Sequence, residues 1–541
     1  MTGTKTGAQA LIETLQVSGV GTIFGVPGEE TTDLMRAIEA SGIEFVLCRH
    51  EQSAAFMASV HAKLTGEVGV CLSTLGPGAT NLVTGVADAH LDGAALLAIS
   101  GQGSRDRLKR MSHQMIDLEA LFAPITKMSR TIMNPGDVSK TVFEALRLAL
   151  EDRRGAVHIS LPEDVASAET EADLPAPEPA CPAVFDSSGL DKVAQLINQA
   201  TAPVVLAGER IVSAQQADAL RRFAERANLP LATSFMAKGI LPRDHNLTLY
   251  TVGQPEDDHA DKAIQKSDLV IFVGFDPVEF SPERFCSDGE VISVVIDTVA
   301  PRLDAGWQIA AQVIGDMRAS LGYLGEALSS HTFDRAEEMP KIAETLLAYE
   351  RAVLSQPSQK GFHPVQLCHE VSEILTAEDT VLSGVGLHKL WIARHLHPRV
   401  AGQLIIPNGL AGMGLALPGS VAAARCRPEG RVFVLCGDGD FMMNVQDMAT
   451  AADEEVPLTV LLWADQGFGL IDEHQGAQGP DFGFTNPNWE QLAKSFGWIF
   501  THATSRTDLA QALKLSSKQP HLILAPVDYE SAGGMPALAA A

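Results

Sequence analysis

Short runs of apolar residues, each closed by a glycine- or carboxylate-bearing turn, punctuate this chain from end to end. Thr22-Ile23-Phe24 leads into Gly25-Val26-Pro27-Gly28, and Phe45-Val46-Leu47-Cys48 into His50-Glu51. Val68-Gly69-Val70-Cys71-Leu72 leads into Thr74-Leu75-Gly76-Pro77-Gly78, and Ala95-Leu96-Leu97-Ala98-Ile99 into Gly101-Gln102-Gly103. A continuous apolar run bounded by turn residues reads as a strand buried on both faces. Helix-like stretches between such runs predict a doubly wound parallel sheet. Pro203 to Gly208, Leu269 to Gly274 and Val291 to Asp297 repeat the pattern, as do Val432 to Cys436 and Leu458 to Ala464. Between the last two, Asn444 to Glu454 predicts a helix, which completes a βαβ unit.

At 541 residues the chain is long enough for three domains. The expected divisions are 1–170, 185–345 and 355–541, each an α/β doubly wound parallel sheet. Residues 171–184, with Pro175, Pro177, Pro179 and Pro182, read as a linker, and a charged helical stretch from Phe333 to Ala352 leads into the third block. The first and third blocks look like the same kind of sheet used twice. The first turn of the middle block, Gly208-Glu209-Arg210, lacks the Gly-x-Gly-x-x-Gly dinucleotide fingerprint.

Composition narrows the function classes. A net charge of −27 disfavours nucleic acid and anionic membrane as partners. No uninterrupted apolar stretch is long enough to span a bilayer, and the N-terminus lacks the pattern of a secretory signal. Seven cysteines without a Cys-x-x-Cys pair predict a reducing, cytoplasmic setting and no structural zinc.

The strongest chemical signal is a pair of aspartates. Asp438, in Gly437-Asp438-Gly439, follows one predicted strand, and Asp465 ends another. Open α/β sheets bind ligands at the C-terminal edge of their strands. Two oxygen ligands beside glycines suit Mg²⁺ holding a diphosphate. An Asp-Gly after a strand is also an ordinary turn, so on these residues alone both readings stand.

The arrangement resembles the thiamine-diphosphate enzymes of the acetohydroxyacid synthase and pyruvate oxidase group. Gly437-Asp438-Gly439 and Asp465 match that family's cofactor motif, with Ala464-Asp465 where two asparagines are usual. The resemblance implies Mg²⁺ held by Asp438, Asp465 and the Gly467 carbonyl. Arg49-His50-Glu51-Gln52 matches the segment carrying the family's glutamate. Glu51 would hydrogen-bond the aminopyrimidine ring and favour the tautomer that removes the thiazolium C2 proton. Gly412-Met413-Gly414 matches the position of the bulky side chain beneath the bent cofactor, and Ala411 would offer its carbonyl to the 4′-amino group. Gly386, Leu387, His388, Gly439 and Asp440 would surround the diphosphate, with Pro27, Thr74 and Phe468 as further cofactor contacts.

Within the group, Ser112-His113-Gln114 and Leu121 to Lys127 are similar to the substrate-side segment of acetolactate synthases. Gly274 to Phe280 resembles the central domain of the flavin-independent catabolic members, so FAD is not expected. Gln114 would orient the acceptor, and Gly25, Val26, Phe122, Leu470 and His474 would border the substrate. His474 stands where biosynthetic members carry a tryptophan, Gly476-Ala477-Gln478-Gly479 lacks nearby basic residues, and Gly28-Glu29-Glu30 lacks the catabolic members' lysine. The resemblance implies decarboxylation of a 2-oxo acid, pyruvate first, and carboligation to a second one. It also implies a homodimer or homotetramer with sites at subunit interfaces. The rival readings are another thiamine-diphosphate lyase or decarboxylase, and a catalytically silent subunit.

Overall fold

The computed structural model describes residues 4–171, 187–253, 259–286, 291–301, 307–328, 339–356, 360–476, 479–515 and 518–533. The proline-rich stretch expected as a linker lies almost wholly outside these residues.

Three six-stranded parallel sheets dominate the molecule. In the first, the spatial order is Glu44–Leu47, Thr22–Gly25, Gly69–Ser73, Leu96–Gln102, Ala156–Pro162, Ser129–Thr131. In the third it is Leu404–Ile405, Thr380–Ser383, Val432–Gly437, Leu458–Ala464, His521–Pro526, Ile499–His502. Counted along the chain within each sheet, both run 2-1-3-4-6-5, so the same topology occurs twice. The middle sheet runs Thr248–Thr251, Leu231–Thr233, Pro203–Ala207, Leu269–Val273, Ile292–Asp297, Ile309–Ile314. That is 3-2-1-4-5-6, the order of dinucleotide-binding sheets.

The apolar runs form strands because both faces of each sheet are covered. Val432–Gly437 is buried at every residue, as are Gly69–Ser73 and Leu269–Val273. One apolar core joins the first and third sheets through helix Glu51–Thr65, which packs on helix Ala416–Cys426. A short helix, Asp438–Met443, precedes a second, Asp447–Asp453, which falls within the stretch Asn444 to Glu454 expected as helix. The first begins at Asp438 itself, so this carboxylate sits in the first turn, where the helix dipole favours negative charge. Helix Met339–Leu354 runs without a break across residue 345, where the middle division was expected to end. Among the described residues no helix is long and apolar enough to cross a membrane, and the six described cysteines are free thiols.

Candidate functional site

Two clusters form at the C-terminal edges of the outer sheets, each at the point where strand order reverses and a crevice opens. In the third sheet that point lies between Thr380–Ser383 and Val432–Gly437. The turn Gly384-Val385-Gly386 opens helix Leu387–His395 on one side, and Asp438 opens its own helix on the other. Asp440 joins the two. Its Oδ1 accepts the Val385 N–H at 2.9 Å and the Gly414 N–H at 3.0 Å. Gly384 must be glycine, because any side chain there would run into the Asp440 carboxylate. Burial pushes Asp440 up to about 6, although both amides favour its charged form. His388 is buried, with Nε2 accepting the Gly437 N–H at 3.3 Å. Burial holds it down at about 3, so it is a neutral structural ring at pH 7.

Val432–Gly437 and Leu458–Ala464 are neighbours in register, so Asp438 and Asp465 emerge side by side. Asp438 Oδ1 accepts the Gly439 N–H at 2.9 Å, and Oδ2 accepts the Gln466 N–H at 2.8 Å. The Asn486 amide also donates to Oδ2, at 2.6 Å. Asp465 is pushed up to about 7, first by burial and then by the adjacent Asp438 carboxylate. Asp438 is buried and Asp465 half-buried, and two carboxylates in that setting repel one another unless a proton or a cation lies between them. The donor set, hard oxygens from two aspartates with the Gly467 backbone beyond them, fits Mg²⁺.

The cleft beside Asp465 has a volume of about 650 Å³. Leu387, Gly469, Asp472, Glu473, Gly476 and the chain at Val527 to Glu530 line it. On helix Gly469–Gln475 the face turned to this cleft is therefore Gly469, Asp472, Glu473 and Gly476. Leu470 and His474 share the neighbouring face: Leu470 packs on the core and His474 is exposed. Their four-residue spacing puts them on one face, as expected, and that face stands beside the one that lines this cleft. Phe468 stacks edge-to-face with Phe484, with ring centres 5.3 Å apart, over Gly439.

Ala411 and Met413 lie on a loop that crosses to the first domain. Ala411 holds φ +55°, an uncommon left-handed conformation for a residue with a side chain, and Met413 is half-buried. Asp88 Oδ1 accepts the Gly412 N–H at 3.1 Å, and Asp92 Oδ1 accepts the Gly409 N–H at 2.5 Å.

The second cluster is at the edge of the first sheet. Glu51 is the first residue of its helix and only 8% exposed. Its Oε2 accepts from Asn81 Nδ2 at 2.9 Å. Gly78 sits so close that an added Cβ would lie 3.1 Å from Oε1. The carboxylate thus lies near the starts of two helices, Glu51–Thr65 and Pro77–Leu91, both of which favour negative charge. The turn holding Gly25, Val26 and Pro27 follows the adjacent strand Thr22–Gly25. Thr74 donates its hydroxyl to Glu30 at 2.9 Å. Gln114 is exposed with φ +58°, its backbone pressed against Gly76, which has φ +51°. Phe122 goes elsewhere: it is fully buried and stacks on His158 at 4.0 Å, so within this chain it fronts no cleft.

Sequence reasoning missed Asn81, Asp88, Asp92 and Asn486, and it named Asp440 without its bonds to Val385 and Gly414. Asp88 and Asp92 did carry a signal, since they stand four apart along Pro77–Leu91 and its C-cap. Asn486 acts across a long sequence separation that no local pattern encodes.

Comparison with known proteins agrees with this geometry. Residues 5–121, 190–324 and 384–525 match the N-terminal TPP binding, central and C-terminal TPP binding domains of the thiamine pyrophosphate enzymes. TPP is thiamine diphosphate, and proteins that match all three domain profiles form one class. The acetolactate synthase of Bacillus subtilis is 30% identical over 97% of this chain and 93% of its own length. The chloroplastic acetolactate synthase of Arabidopsis thaliana is 32% identical over 96% of this chain and 81% of its own. The catabolic acetolactate synthase of Raoultella terrigena is 28% identical over 97% and 95%. The chain belongs to the thiamine pyrophosphate enzyme family and, within it, to the acetolactate synthase group.

Proposed function

We propose that the chain is a Mg²⁺- and thiamine-diphosphate-dependent acetolactate synthase, which decarboxylates pyruvate and joins the two-carbon fragment to a second 2-oxo acid. The observation that carries the reading is the pair of carboxylates, buried Asp438 and half-buried Asp465, at the ends of adjacent strands in a domain of the TPP-binding family. When bound, the cofactor would supply an acidic carbon whose deprotonated form is the nucleophile toward the substrate's ketone, and a ring that takes up the electron pair left by CO₂.

The residues have separate tasks. Asp438 and Asp465 hold the cation, with the Gly467 carbonyl as third protein ligand. The start of helix Leu387–His395 gives backbone N–H groups to the diphosphate, and Asp440 fixes that turn against the loop of Gly414. Glu51 holds a proton against the aminopyrimidine ring, and its near-complete burial keeps water from competing for it. Ala411 and Met413 shape the floor beneath the cofactor. Gln114 borders the acceptor side.

FAD is not part of this reading. The middle sheet has the dinucleotide strand order, yet its crevice is filled from within. Gly208 abuts Phe275, and Arg210 pairs with Asp276 at 2.7 Å and Asp297 at 2.6 Å. Glu209 and Glu279 add two further carboxylates, and burial pushes Glu279 up to about 8. Arg210, the cation of this crevice, is thus already committed to carboxylates of the chain rather than open to a diphosphate.

The test is direct. The purified chain, given pyruvate, Mg²⁺ and thiamine diphosphate, is assayed in parallel for acetolactate, acetaldehyde, acetate and peroxide. Acetolactate as the main product is the expected result. Acetaldehyde alone makes the chain a decarboxylase, and peroxide makes it an oxidase. Asp438→Ala and Asp465→Ala each lose a cation ligand and are expected to lose retained cofactor on gel filtration. Full retention by both rules out the metal assignment.

A further inference from the structure

Asn486 is a side chain at the cation site to which the family resemblance gives no role. It lies on the loop that follows helix Gly469–Gln475, and this loop folds back over the aspartates. Phe484 N–H donates to the Gln466 carbonyl at 2.9 Å, and the Phe484 ring packs on Phe468. Asn486 then reaches Asp438 at 2.6 Å.

Counting acceptor sites gives this contact its meaning. An ionised carboxylate has about four lone-pair directions, two on each oxygen. On Asp438, Oδ2 takes two donors, Gln466 N–H and Asn486 Nδ2, while Oδ1 takes one, Gly439 N–H. The direction left open is on Oδ1. Asn486 therefore completes the set that turns one chosen oxygen of Asp438 outward. The amide's orientation is fixed by the same chemistry, because turning it over would set two acceptors against each other. Its own Oδ1 is then left buried without a hydrogen-bond partner. A buried carbonyl in that condition marks a missing donor. Mg²⁺ keeps several of its waters when bound to carboxylates, and each such water is a strong donor.

We propose that Asn486 is a positioning residue of the cation site, holding Asp438 through Nδ2 and receiving a cation-bound water at Oδ1. This rests on the reading of Asp438 and Asp465 as Mg²⁺ ligands. It also ties the seat of the 479–488 loop to occupancy of the site, since that loop supplies Asn486.

The experiment is equilibrium dialysis of the full chain against Mg²⁺ at saturating thiamine diphosphate, with metal-free thermal unfolding as the control. Asn486→Leu keeps the size and removes both polar atoms. It is expected to weaken Mg²⁺ retention by about 10–100-fold, the usual loss when a partner of a metal ligand is removed. Its metal-free melting temperature is expected to stay level or rise, because the unpartnered buried carbonyl is gone. Asn486→Ser, with a hydroxyl that donates and accepts, is expected to recover part of the affinity. If the native chain retains Mg²⁺ and Asn486→Leu retains it equally well, the role given to Asn486 is overturned while the cation site stands. If the native chain retains no Mg²⁺ at all, both fall.

Discussion

Glu51 shows what a single carboxylate gains from its position. It is almost buried, near two helix starts, with one oxygen bonded to Asn81. That setting excludes water and leaves the other oxygen to share a proton with a ring nitrogen. Glu51→Gln preserves shape and removes the ability to share a proton. The variant is expected to bind cofactor while slowing C2–H exchange, followed by NMR, by about 10²-fold or more, the usual scale of a lost acid–base group. An unchanged exchange rate assigns activation to another residue. Glu51, Asp438 and Asp465 were legible in the sequence because each closes or follows a strong apolar run. Asn81 and Asn486 were not, because each acquires its partner only when distant turns meet at a sheet edge. The burial of Phe122 and the exposure of His474 were not legible either. Whether a ring goes to core or cleft depends on the rotation of a short helix, which spacing alone does not fix.

At the scale of elements, the long central strands were readable and the short edge strands were not. Leu404–Ile405 and Ser129–Thr131 are too short to carry a period. The repeated 2-1-3-4-6-5 order was legible only as a likeness between blocks. The loop of Ala411 and Met413 is the element whose placement matters most, and the first domain sets it. Asp88 receives Gly412 N–H and Asp92 receives Gly409 N–H. Lys63 neutralises Asp92 at 3.1 Å and reaches Glu209 at 2.9 Å, so all three domains meet behind this loop. Asp88→Leu strands the Gly412 N–H, which costs about 1–3 kcal/mol in a buried site. A floor displaced by about 1 Å is expected to lower kcat by roughly 10²-fold. Asp88→Asn keeps an acceptor toward Gly412 and is expected to retain most of that activity. Equal kcat for both variants separates the loop's placement from Asp88.

For the whole molecule, the question is how the two clusters come to face one cofactor. Within one chain, Glu51 bonds to its own domain, while its helix lies on Ala416–Cys426, and Ser53 donates to Asp447 at 2.5 Å. Among the described residues, the side-chain partner of Glu51 is Asn81 and not a residue around Asp438. The outer domains share a topology, so a two-fold axis could set the sheet edge of one chain's first domain against that of its partner's third. Each site would then take Glu51 from one subunit and Asp438 with Asp465 from the other. Glu51→Ala and Asp438→Ala chains, each inactive alone, provide the test. After random exchange about half the dimers are mixed, and in each of these one site has both defects and the other has none. Mixing is therefore expected to restore about one quarter of native activity. Sites built within single chains would restore none, because every site would keep one defect. Exchange itself is verified with two differently tagged chains, so that a negative result counts against the shared site and not against the mixing.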